Sequence, residues 1–153
     1  MTFNILVTVF LLFSCNNAKY NRHNSSTVTK ENIICNDSIL IGKLLQKTLD
    51  IENLQQYYPV DEVKNRGYLV LMINEQVSKY YDLYKYNKKV LFATEDEIRD
   101  KKISAYLTFK KVDIKNDLAT ITLLYSTQGI KCDAVFKKEG CDWILKDSKI
   151  VER

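Results

Sequence analysis

Four cysteines, one histidine and a run of three carboxylates are the residues of this 153-residue chain that could do chemistry. Cys15, Cys35, Cys132 and Cys141 could form a thioether, a disulfide, a redox pair or a metal site. No Cys-x-x-Cys spacing occurs, which argues against a thioredoxin-like centre or a zinc site. His23 lies in the polar stretch NNAKYNRHNSSTVTK, where nothing would hold it against a serine or cysteine nucleophile. Glu95, Asp96 and Glu97 could bind a cation or exchange protons. They follow Thr94, however, at the spacing of a capping box, where carboxylates suit the positive end of a helix dipole. The four glycines are isolated, so no loop can cradle phosphate. Tyr57-Tyr58 and the run from Tyr80 to Tyr86 could stack on sugars or bases. At helical spacing Val77, Tyr80, Tyr81 and Tyr84 instead form a buried stripe, and a core role with hydroxyls reaching the surface is expected. The chain thus reads as non-enzymatic, with no cofactor and no metal.

The first residues carry a different message. Ile5 to Phe13 is apolar except for Thr8. This run is shorter than the roughly 20 helical residues that span a bilayer and fits the apolar centre of a signal peptide. It ends in Leu12-Phe13-Ser14-Cys15, which resembles the lipobox of bacterial lipoproteins. That resemblance implies cleavage after Ser14 and a thioether from Cys15 to diacylglycerol. Acyl chains would then anchor the protein to a membrane of the cell envelope, at the outer membrane or the periplasmic face. The expected organisation is a signal peptide over 1–14, a lipid-anchored flexible tether over 15–31 and one domain over 32–153. Fully extended, the tether reaches about 50 Å.

A net charge of +4 is modest, and Lys and Asp/Glu are interleaved. No basic stripe suggests a nucleic-acid partner.

Behind the tether, Asn36 or Asp37 can cap a helix from Ser38 to Leu49, with Leu40, Ile41, Leu44, Leu45 and Leu49 at helical spacing. A second helical stretch, Ile51 to Tyr57, ends before Pro59. Tyr68 to Ile73 reads as a buried strand, Glu75 to Leu83 as a short helix or loop, and Val90 to Ala93 as a strand. A short capped helix follows to about Lys101. From Ile103 the pattern alternates. Ile103, Ala105, Leu107 and Phe109 face inward, the phase slips at Lys110-Lys111 as in a β-bulge, and Val112 and Ile114 continue. Turns at Asn116-Asp117, Gln128-Gly129 and Glu139-Gly140 make a four-stranded antiparallel meander.

Two-residue turns predict the register. Ile114 faces Ala119, Val112 faces Ile121 and Phe109 faces Leu123. Tyr125 faces Cys132, Ile121 faces Phe136 and Phe136 faces Trp143. Thr108, Thr120, Thr122, Lys131, Asp133 and Lys146 form a mostly wet outer face. Cys132 and Cys141 fall on the inner face as buried thiols. They sit too far apart along one hairpin for a disulfide, while Cys35 could reach either. Tyr125 and Cys132 are the polar-capable pair of the inner face and the candidate ligand-binding residues.

The expected fold is α+β, with N-terminal helices packed on one face of a curved antiparallel sheet ending in the meander. This arrangement resembles the cystatin and nuclear-transport-factor-2-like architectures, at the level of fold alone. The expected function is a membrane-anchored, exported binding module, with a protein as possible partner. The alternatives are an immunity- or inhibitor-type protein that neutralises a toxin or hydrolase, and a carrier of a small apolar ligand.

Overall fold

In the computed structural model, residues 35–58, 68–78, 81–127 and 129–152 are described. The expected signal peptide, Cys15, the tether with His23, and Tyr80 lie outside them. The fold is α+β and its main sheet has six strands.

Helix α1 spans Asp37–Leu49, and the side chain of Asn36 caps it by accepting from the amides of Ser38 and Ile39. The buried positions Leu40, Leu44, Leu45, Thr48 and Leu49 form one stripe. A Cβ at Gly42 would stand 3.5 Å from the ring of Tyr81, an ordinary contact, so the packing does not demand glycine inside the helix. The second helical stretch is a 3₁₀ helix, Glu52–Tyr57.

Strand β1 is Val70–Met72, β2 is Tyr84–Lys85, β3 is Lys88–Lys89 and β4 is Leu91–Ala93. Helix α2, Glu95–Asp100, carries the full capping box between Thr94 and Glu97. Strands β5 (Leu107–Lys115), β6 (Leu118–Tyr125), β7 (Ile130–Glu139) and β8 (Asp142–Glu152) complete the main sheet, whose order is β4-β1-β5-β6-β7-β8. β5 to β8 pair antiparallel in chain order.

The sheet as a whole is mixed, not antiparallel, because β1 runs parallel to both β4 and β5. Flanked on both sides, β1 is an unbroken apolar run, as expected of a parallel strand covered on both faces. Nor do all helices share one face. Leu71 joins the main core with α1, Phe109, Ile121, Phe136 and Trp143. Val70 and Met72 point the other way and pack with Ala93 and Ile98 of α2. α2 therefore covers the opposite face at the β1/β4 end. Thr108 is buried on that outer face too, where a wet position was expected.

The β5–β6 register is as predicted, with Phe109 opposite Leu123, Val112 opposite Ile121, Ile114 opposite Ala119, and a bulge between Phe109 and Lys111. The next two registers differ by two residues. Tyr125 faces Ile130, Leu123 faces Cys132 and Ala119 faces Phe136. The reason is the longer loop 126–129. The Ser126 amide donates to Tyr106 O at 3.0 Å and its hydroxyl to Ser104 O at 2.9 Å, so the loop is fastened to the segment before β5. Gly129 closes it with φ 61°. In the last hairpin Glu139 faces Asp142 and Trp143 faces Lys138, around a turn at Gly140 and Cys141. Gly140 takes φ 62°, which suits a residue without Cβ. A second bulge shifts the pairing between Val135 and Phe136, and Leu145, expected inside, is 39% exposed. Tyr80–Tyr86 is not a helical stripe among its described residues. Tyr86 and Asn87 both take positive φ, 51° and 58°, and turn the β2–β3 hairpin.

Candidate functional site

Tyr125 and Cys132 are both in the main core, 2% and 0% exposed. They share a face but are not opposite each other, since each takes a different partner across the ladder. Burial pushes the Cys132 thiol up to about 11, with the neighbouring Asp133 carboxylate adding to the effect. A thiol held protonated in this way is a poor nucleophile and a poor metal ligand at neutral pH. Among the described residues no group of three or more His, Cys, Asp or Glu side chains could hold a metal ion. Glu97 serves the cap of α2, and the Thr94 amide and the Lys101 ammonium hold its carboxyl below the usual range.

Cys35 and Cys141 form a disulfide with Cα atoms 5.5 Å apart. Of the two partners left open for Cys35 by the sequence, the structure takes Cys141, and Cys132 stays a buried free thiol. Cys141 is therefore neither free nor fully buried, because the shifted turn lifts it off the strand. Polar links cluster around the bond. Lys43 Nζ donates to Cys141 O at 2.8 Å, Lys47 pairs with Asp142 at 3.1 Å, and the indole of Trp143 donates to Leu40 O at 3.0 Å.

The other built constellation centres on Lys85, a residue that sequence reasoning missed. Its side chain is 6% exposed. Nζ donates to Leu49 O and to Asp50 Oδ1, both at 2.9 Å. It also lies 5.1 Å from the ring centre of Tyr58 and 5.4 Å from that of Tyr86. Leu49 O, at the negative end of α1, further accepts from Gln55 Nε2 and the Tyr58 hydroxyl, each at 3.0 Å. Burial, with negative charge nearby, raises the Tyr58 phenol well above its ordinary range. With its protons directed at two oxygens and its charge over two rings, Lys85 is an anchor, not a nucleophile. The only signal in the sequence is a lysine between two tyrosines at alternate positions.

The anchor has a second arm. Gln46 on α1 accepts from the Tyr84 amide at 2.8 Å and donates to the Tyr84 carbonyl at 2.9 Å, as a strand would. The β2–β3 hairpin is thereby pinned to α1 at both Tyr84 and Lys85. Tyr84 and Tyr86 stay outside, 51% and 45% exposed, where burial had been expected for Tyr84. Beside them an open groove of about 360 Å³ runs between α1 and Tyr81, with Ile39, Lys43 and Asp82 on its walls. A second open groove, about 470 Å³, lies beside α2 and includes Arg99, Lys102 and Tyr106. These surfaces offer aromatic, aliphatic and charged contact together.

No family model, no curated protein and no solved structure matches this chain.

Proposed function

We propose that the chain is an exported, lipid-tethered module of a bacterial envelope that binds a protein partner and performs no catalysis. The Cys35–Cys141 disulfide carries this reading. Such bonds persist in oxidising compartments outside the cytoplasm. The Leu12-Phe13-Ser14-Cys15 motif supplies the matching route, with export and then acylation of Cys15. The pinned hairpin supports a protein as the partner. Tyrosines are enriched at interface hot spots, and Tyr84 and Tyr86 are outward-facing on a hairpin whose Tyr84 backbone is held by Gln46.

A second reading is an immunity- or inhibitor-type protein that caps a toxin or hydrolase, with the exposed Tyr84 and Tyr86 as its contact surface. The carrier reading has less support, since Phe109, Phe136, Trp143 and their neighbours fill the inner face of the sheet. The likeness to cystatin and nuclear-transport-factor-2-like architectures belongs to this proposal as a matter of shape alone.

Mass spectrometry of the protein from membrane and soluble fractions tests the reading. The expected result is a mature chain beginning at Cys15, carrying diacylglycerol, with Cys35 and Cys141 oxidised, and a Cys15→Ser variant lost from the membrane. An intact, unacylated chain in the cytosol with reduced cysteines would overturn it.

A further inference from the structure

A helix pulled from its first residue comes apart one turn at a time, because each hydrogen bond meets the load after the one before it has broken. α1 is exposed to this failure. Its cap, Asn36, offers two side-chain bonds, to the amides of Ser38 and Ile39. Cys35 is the first of the described residues. Cys35 stands immediately before the cap, and its disulfide fastens it to the turn between β7 and β8. Three polar links from α1 to β8 and its turn fall close by, through Leu40, Lys43 and Lys47 on one side and Cys141, Asp142 and Trp143 on the other.

We propose that the Cys35–Cys141 disulfide is a mechanical clasp, which passes tension arriving along the N-terminal chain into the β7–β8 turn and keeps α1 from being peeled off the sheet. The proposal rests on the reading that the protein is held by its N-terminus. Two consequences follow from the covalent path. Cys35, next to the cap of α1, cannot leave the β7–β8 turn, because its Cα is held 5.5 Å from that of Cys141. When the chain is held at its two ends, the residues between Cys35 and Cys141 lie inside a closed loop and bear no load. The sequence separation of 106 residues corresponds to roughly 350 Å of extended chain kept out of the path. The loaded path then runs along β8 alone, whose ladder with β7 must break in place of the helix.

The test is single-molecule stretching of the full chain through peptide handles at its two ends, oxidised and then after addition of a dithiol reductant. The oxidised protein is expected to show no early short event and to lack roughly 350 Å of final extension. The reduced protein, and a C35S/C141S variant, are expected to show a new first event at lower force, with the length of α1 released before the sheet opens. If both reduced forms break at the same first force as the oxidised protein with no early event, the clasp is refuted, because Lys43, Lys47 and Trp143 then hold α1 unaided. Should the double variant not fold, reduction of the already folded protein under low load gives the same readout. The stretched chain needs no lipid. The outcome is therefore separate from that of the acylation test, which is read from the mass of the mature N-terminus.

Discussion

The β5–β8 meander and the β1/β4 end of the same sheet are built in opposite ways. In the meander each strand pairs with its neighbour in sequence across a short turn, and along the central strands β6 and β7 buried residues alternate with more exposed ones. At the other end, three-residue strands pair in parallel, Val70 with Leu91 and Ala93 with Met72, after excursions through the β2–β3 hairpin. The meander closes small loops and gains contacts locally; β1 and β4 require long-range closure before any bond forms. The difference teaches that the meander is the platform. The parallel end, with α2 laid over it, is added to that platform and is expected to open first.

The strongest way to break this comparison is Trp143→Ala. It removes the largest fully buried side chain and its bond to Leu40 O, and should cost about 3–5 kcal/mol in urea unfolding. Leu71→Ala, at the parallel end, is expected in the lower part of about 2–5 kcal/mol. A larger loss at Leu71 than at Trp143 would reverse the ranking of the two regions. Opening the disulfide by Cys35→Ser with Cys141→Ser should cost about 2–5 kcal/mol, read by the same unfolding curves.

A smaller effect separates the hairpin from both regions. Lys85→Met should cost about 1–3 kcal/mol and speed hydrogen exchange at β2 and β3 while leaving β6 and β7 protected. The loss is moderated because Asp50 is 52% exposed and stays solvated, and because Leu49 O keeps Gln55 and Tyr58 as donors. Smaller again, Thr94→Ala removes the α2 cap and should cost about 1 kcal/mol, additive with Trp143→Ala since the two sites share no partner. The least effect near neutral pH belongs to Cys132. Its folded value of about 11 lies above the ordinary 9.0, so the folded state keeps a proton that the unfolded chain releases. Stability from this group is whole below pH 9 and is lost as pH rises toward 11. Native alkylation of Cys132 should be slow at neutral pH; fast labelling would contradict its burial.

The sequence made these regions legible to different degrees. Asn36 and the Thr94–Glu97 box announced both α-helices because capping is local chemistry, satisfied within four residues. The bulge after Phe109 was visible as a slip in alternation, and the Asn116 turn fixed the first register. The next two registers were not legible. A slide of two residues leaves every side chain on the same face, so alternation cannot detect it. What sets them is tertiary, the Ser126 bonds to Ser104 and Tyr106 in one case and the disulfide-bonded turn in the other. The parallel pairing of β1 and the two-sided helix cover were hidden for the same reason. Of the candidate site, the buried state of Tyr125 and Cys132 was readable, whereas the Lys85 anchor was not. A lysine between tyrosines reads as surface until α1 supplies Leu49 O and Asp50.

β8 has one further consequence. It is the long edge of the sheet, and among the described strands it pairs on one side, with β7. An edge of this length would ordinarily invite another copy to extend the ladder. Here Lys146, Asp147 and Lys149 fall in succession on that strand, beside the kink of the second bulge. Charged residues and a kink of this kind oppose the addition of a further strand, so the edge is built against the ladder growing from one copy to the next.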